Sequence, residues 1–278
     1  MTRRYDLHTH STASDGAYTP AELVRNAAEA GITDLALTDH DTLAGLREAD
    51  EAAQVAGIQL IPAVEVSVTL MRKSIHIVGL GVDPANEVLR QGLAGIQKIR
   101  SERALEMGRR LAKCGFPGSY EAATAMAGEG MITRTHFARH LLNLNVIGTM
   151  QDAFDMYLGQ GKPAYVPTDW AGLEDCVGWI TGAGGVAVVA HPQRYKLTGS
   201  WMRQLLGAFK EAGGQGLEVV SGAGHPQDIE TAAQQARRFD LLASQGSDFH
   251  SPEHFWVKLG KLPALPANLT PVWSLWND

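Results

Sequence analysis

The chain has 278 residues, 45% of them hydrophobic and 19% charged, and a net charge of −6; that is apolar enough for a sizeable α/β core and too acidic for a surface that coats nucleic acid by charge. No run of about 18 apolar residues occurs and the opening MTRRYDLHTH lacks the apolar core of a secretory signal, so neither a membrane span nor a membrane partner is expected and the chain is placed in the cytoplasm. Cys114 and Cys176 stand in unlike contexts and are expected as reduced thiols.

In chain order, YDLH (5–8) reads as the first strand. It runs into THSTASDG, so His8 and His10 share one face, because side chains two apart in a strand point the same way. Asp15 follows one short loop later. AELVRNAAEAG (21–31) has apolar residues at helical spacing and a glycine stop. LALTD (35–39) is the second strand, LAGLREADEAAQVAG (43–57) the next helix, and LIPAVE (60–65) the third strand, ending on Glu65. Strand, helix, strand at this rhythm predicts parallel βα units. IHIVGLG (75–81), carrying His76, is the fourth strand, after which the rhythm breaks. Residues 83–115 read as one long helix, and shorter helical pieces run to about Gly161. PAYVP and WAGLEDCVGWITGAG then lead back to the fifth strand, VAVVAH (186–191); LEVVS (217–221) and LLASQ (241–245) complete seven. The expected architecture is a barrel-like α/β body made of residues 1–99 and 166–278, with a helical insertion at 100–165. The proline-rich LPALPANLTPVW is expected to wrap the surface.

Nearly every strand end carries a coordinating side chain: His8 and His10, then Asp39, His40 and Asp41, then Glu65, His76, His191, and finally Asp248 and His250 in GSDFH. His225 lies too far along its loop to join them. Parallel barrels build their sites from the loops at one face, so residues scattered through the chain converge there. Histidine and carboxylate together suit Zn, Mn or Fe, and a bridging carboxylate favours more than one ion. Charge is also uneven: Ile96 to His140 holds eight Lys or Arg against four Glu, a local +4 that leaves −10 elsewhere. Such an island predicts a local anionic ligand, with a solvated helix face as the alternative for most of its members.

DLHTHSTASDG, LTDHDT, the isolated Glu65 and His76, VVAHP and SDFH, in this order, resemble the PHP (polymerase and histidinol phosphatase) metal-dependent phosphoesterases across the whole chain. The resemblance implies a distorted (β/α)7 barrel with the helical insertion after strand four. It also implies three divalent ions, Mn first, with Fe or Zn as alternatives. His8, His10, Glu65 and Asp248 would hold the first; Glu65, His76 and His191 the second; Asp15, His40 and His250 the third. Asp39 and Asp41 would orient histidines, and Ser11 and Ser14 would serve the loop only. Within the family, SERALEM and ITRTHFAR resemble the nucleoside 3′,5′-bisphosphate phosphatases, a subgroup that includes bacterial enzymes trimming short RNAs from the 5′ end. That implies removal of the 3′-phosphate by a hydroxide bridging two ions, with His191 and Asp248 catalytic. Ser101, Arg103, Arg134 and Thr135 would bind substrate, the arginines clamping a phosphate. The expected partner is a nucleotide or short oligoribonucleotide, with no long duplex, and the chain a monomer or small homo-oligomer. The alternatives are histidinol phosphate or another phosphomonoester as substrate, a non-catalytic metal-binding regulatory domain, and an amidohydrolase, which the absence of a lysine at any strand end disfavours.

Overall fold

Along β3 (Gln59–Leu70) the side chains alternate between two buried faces. Ile61 and Ala63 enter a cluster with Val78, Leu80, Val186, Val188 and Ala190, while Val64, Val66 and Val68 pack the other way against helices. A strand apolar on both faces belongs in a barrel wall with helices outside it. The computed structural model, which describes residues 3–222, 224–253 and 257–276, places seven strands side by side in chain order: β1 (Tyr5–Asp6), β2 (Asp34–Leu37), β3, β4 (Lys73–Leu80), β5 (Val186–Val189), β6 (Gly216–Ser221) and β7 (Leu242–Gly246). The Leu7 amide donates to the Gln245 carbonyl at 3.0 Å and the Asp248 amide to that of His8 at 2.8 Å, which nearly closes the sheet into a barrel.

One strand runs against the rest. β4 is antiparallel to both β3 and β5, a departure from the parallel barrel expected from the sequence. The reason is local: β3 continues past Glu65 to Leu70 and turns back through Met71 and Arg72 alone, both at positive φ. A two-residue connection can join only antiparallel strands.

Helices α1 (Pro20–Glu29) and α2 (Leu46–Ala56) fill the first crossovers, α1 opening with a capping box between Thr19 and Glu22. The helix expected over 83–115 is α3 (Glu87–Lys113), its first turn capped by Asn86. Leu89, Leu93 and Ile96 bind it to the barrel; Ala104, Met107 and Leu111 open a second core with α4 (Ser119–Ala127), α5 (Arg134–Asn143), α6 (Met150–Ala153) and the π-helical turn Phe154–Leu158. One continuous helix therefore joins barrel and insertion. The return passes through α7 (Leu173–Gly182); α8 (Gly199–Glu211) and α9 (Pro226–Arg238) cover the last strands. The tail does more than wrap the surface. Val272 joins the barrel-interior cluster and Trp273 stacks on Tyr5 at 4.3 Å, closing the end where β1 begins. Both cysteines are free. Among the described residues no helix is long and apolar enough to cross a membrane.

Candidate metal centre

The inward rows that are apolar deep in the barrel turn polar at its rim. On β3 the row Ile61, Ala63 continues to Glu65; on β4 the row Leu80, Val78 continues to His76. His76 lies near the start of its strand, yet because β4 is antiparallel this is the same rim that the other strands reach at their C-terminal ends. His8 and His10 lie beyond the two-residue β1 in an extended segment bonded to Thr38 and Phe249. That segment passes so close to β7 that a Cβ on Gly246 would fall 2.2 Å from the His8 Cβ. The loop after His10 is equally tight: a Cβ on Gly16 would meet the His10 carbonyl at 2.3 Å.

Glu65 is the hub. Its Oε1 lies 2.9 Å from His191 Nε2, 3.0 Å from His76 Nδ1 and 3.4 Å from His8 Nε2, while Oε2 lies 2.9 Å from His40 Nδ1 and 3.4 Å from His10 Nε2. Asp248 Oδ1 is 3.1 Å from His10 Nε2 and 3.4 Å from His8 Nε2. Asp15 Oδ1 is 3.4 Å from His250 Nε2 and 3.9 Å from His40 Nε2. Burial alone would push the Glu65 carboxyl up, but His76, His40 and His8 and the hydrogen bond from His191 hold it well below the usual carboxylate range. Burial likewise opposes charge on His250, yet Asp15 and Asp248 hold its pKa at about 10. His10, buried and next to the charged His250, is pushed down to about 3.

These residues fit metal ions. Nε2 of His8 and His10, Nδ1 of His40 and His76, Glu65 Oε2 and Asp248 Oδ1 are buried without a hydrogen-bond partner, a costly state in a protein interior. Nitrogens facing carboxylate oxygens at such distances without hydrogen-bond geometry are arranged so that they could hold metal ions. The ligand atoms form four overlapping groups: His10, Asp15, His40 and His250; His8, Glu65 and His191; His8, His10 and Asp248; His40, Glu65 and His76. All nine residues expected from the sequence meet here. The third implied set is together, with His10 added, whereas the other two interleave around Glu65 and His8. His191 at φ 28° and Asp248 at φ 53° occupy left-handed conformations that non-glycine residues rarely adopt, and such strain gathers at functional sites.

The supporting residues differ from those expected. Among the described residues Asp39 hydrogen-bonds no histidine: its carboxylate accepts from the Ser11 amide (2.8 Å) and from the hydroxyls of Ser11 (2.6 Å) and Ser14 (2.5 Å), so the two serines pin the first loop. Asp41 accepts from the Ser67 amide and from Arg100, tying β3 to α3. The residue that orients histidines is Glu218, which accepts from the His191 amide and lies 3.3 Å from His8 Nδ1. Tyr195 accepts from the His76 amide at 2.8 Å, and Arg194 pairs with Asp248.

A cavity of about 300 Å³ opens from this centre toward the insertion. The basic island resolves into two kinds of residue. Arg100 pairs with Asp41, Arg110 with Glu106, and Lys98, Arg109 and Lys113 are exposed. Arg103 and Arg134 instead line the cavity with no carboxylate partner among the described residues. Arg103 Nε is buried and unpaired, and burial, with repulsion from Arg134 and Arg100, pushes its pKa down to about 9. Its guanidinium lies 5.2 Å over the Trp170 ring, and that of Arg134 5.8 Å over Phe154. Arg72, at the tip of the β3–β4 hairpin, joins the lining. Thr135 also lines the cavity, but its hydroxyl donates to Asp15 at 2.9 Å, as that of Thr133 does at 3.0 Å, so the start of α5 holds a member of the centre. Ser101 does not reach the cavity: it is exposed on α3 and its hydroxyl bonds the Gln97 carbonyl.

Three comparisons agree with this geometry. A family model described as the PHP domain matches residues 6–221. A 5′-3′ exoribonuclease of Haemophilus influenzae is 44% identical over 274 residues, covering 99% of both chains. A 3′,5′-nucleoside bisphosphate phosphatase of Chromobacterium violaceum is 47% identical over 269 residues, covering 96% of this chain and 94% of its own. A solved structure from Chromobacterium violaceum, described as an amidohydrolase with bound sulfate and no metal, superposes with a TM-score of 0.93 at 46% identity, covering 98% of this chain and 95% of its own. With its nine clustered histidines and carboxylates and a family match over most of its length, the chain belongs to the PHP domain family.

Proposed function

We propose that the chain is a metal-dependent phosphoesterase that hydrolyses the O3′–P bond of nucleoside 3′,5′-bisphosphates, giving the 5′-monophosphate, and of short 5′-phosphorylated RNA. The observation that carries the reading is one cavity with the histidine–carboxylate cluster at its floor and, in its wall, Arg103 and Arg134, neither with a carboxylate partner among the described residues. A substrate with two phosphates fits that pairing: one phosphoryl group at the centre, the other at the arginines. Three divalent ions held by the nine residues, Mn first, would ionise water near neutral pH and neutralise phosphoryl charge. His191 and Asp248 would serve as ligands of those ions. Glu218 holds His8 and His191 in place, Thr133 and Thr135 hold Asp15, and Arg194 at the cavity edge holds Asp248.

Both named relatives act in this chemistry, and full-length similarity to them supports it. Histidinol phosphate fits less well, since its cationic amine would face arginines while Asp15, Glu65 and Asp248 are engaged at the centre. Amide hydrolysis has no counterpart for the unpaired arginines. Nucleotide chemistry, and the lack of any membrane-spanning helix among the described residues, suit a cytoplasmic enzyme. The test is phosphate release from a panel of 3′,5′-bisphosphonucleoside, 3′-mononucleotide, 5′-mononucleotide and histidinol phosphate. The bisphosphate is expected to be preferred. In Arg134→Ala its KM should rise by about 10- to 100-fold with kcat nearly kept, and turnover of the 3′-mononucleotide should not change. Preference for histidinol phosphate, or equal loss on all substrates, would overturn the assignment.

A further inference from the structure

The centre is reached by two openings. Besides the arginine-walled cavity, a groove of about 1130 Å³ runs between the insertion and the loops after β6 and β7. Asp15, Asp248, His250 and Arg194 line both, so cavity and groove meet over the same ligands. Thr135 and Phe154 also border both, and the remaining walls are different. The cavity is bounded by α3, the β3–β4 hairpin and Trp170; the groove by Arg139, Met150, Gln151 and His225, with one acid, Glu253, on its rim. At about 300 Å³ the cavity is at the small end for a ligand site and suits one nucleotide. The groove is several times larger and mixes hydrogen-bond donors, cations and apolar surface, which suits a phosphodiester backbone with its sugars and bases. Arg139 makes no ion pair among the described residues, and α5 carries it to the groove side while Arg134, five residues earlier and so about 140° away around the helix, faces the cavity.

Chemistry makes the two openings one path. Hydrolysis forms a bond from water oxygen to phosphorus and breaks O3′–P, and the departing O3′ takes a proton. In a bisphosphate the reacting phosphorus carries nothing further. In RNA it carries the O5′ of the next nucleotide, and the shortened chain leaves with a new 5′-phosphate ready for another cycle. A closed pocket would accept only the first substrate. We propose that the groove lined by Arg139, Met150, Gln151 and His225 holds the ribonucleotides 3′ of the scissile phosphate, while the arginine cavity holds the 5′-terminal nucleotide. This rests on the phosphoesterase reading above and assigns it a direction through the molecule.

The experiment compares kcat/KM on a nucleoside 3′,5′-bisphosphate and on a 5′-phosphorylated tetraribonucleotide for wild type, Arg139→Glu and the exposed-site variant Gln151→Glu. Placing negative charge in the groove should lower tetranucleotide turnover about tenfold or more in Arg139→Glu and about threefold in Gln151→Glu, with the loss shrinking as salt is raised. Bisphosphate turnover should stay within about twofold of wild type. Equal loss on both substrates, no loss on the tetranucleotide, or a wild type that cleaves the bisphosphate but not the tetranucleotide would overturn the groove assignment alone. A wild type inactive on both would overturn it together with the phosphoesterase reading.

Discussion

Glu65→Gln is expected to lower kcat for phosphate release from a 3′,5′-bisphosphonucleoside by about a thousandfold or more. Glutamine keeps the size and removes the charge. Five histidines lie within 3.4 Å of this one carboxylate, and no other residue of the centre touches so many. Losing the charge removes a ligand and lessens the attraction for each neighbouring cation. Glu65 is buried at the barrel rim above Ala63 and Ile61, whose packing the substitution leaves alone, so a folded circular dichroism spectrum should accompany the loss, with a lowered thermal midpoint because the buried histidines lose the charge they face. A variant retaining more than about a tenth of the activity would remove Glu65 from the hub.

The second large effect is metal removal. Exhaustive chelation should lower activity by about three orders of magnitude, and Mn²⁺ should restore it. The fold should survive, because in the metal-free chain protons replace cations: His8 is held well above its ordinary pKa and His250 at about 10, against burial, by Glu65, Glu218, Asp15 and Asp248. The sign of the pH dependence follows. Below those values the imidazoles are protonated and must release protons before they can bind a cation, so raising pH favours the metal. Between pH 6 and 8 the Mn²⁺ concentration for half-reactivation should fall by about tenfold per pH unit for each proton released. Reactivation independent of pH would show that the histidines are not the ligands.

The cluster was legible because strand-end histidines and carboxylates carry their chemistry in their identity. His8, His10, Glu65 and His191 need only a barrel to bring them together. The direction of β4 was harder to read. The alternation Val66, Val68, Leu70 and then Ile75, Ile77 spells a hairpin, but its turn is Met71–Arg72 rather than a glycine or asparagine signal. Glu218 was hidden inside LEVVS, although a charge within an apolar strand is itself a mark of a buried partner. Arg194 lies in the short 3₁₀ turn after His191, where no periodicity points. Ser101 failed for a reason of helix geometry. Arg100 and Arg103, three apart, share the inner face of α3, and a residue one position on is turned by about 100° toward solvent.

The most direct test is a crystal of the chain grown with Mn²⁺ and measured for anomalous scattering at the manganese edge. The account predicts peaks within coordination distance of His8, His10, Asp15, His40, Glu65, His76, His191, Asp248 and His250, with Glu65 shared between two of them. Saturating manganese with no peak among those side chains, or peaks that leave Glu65 uncoordinated, would contradict it.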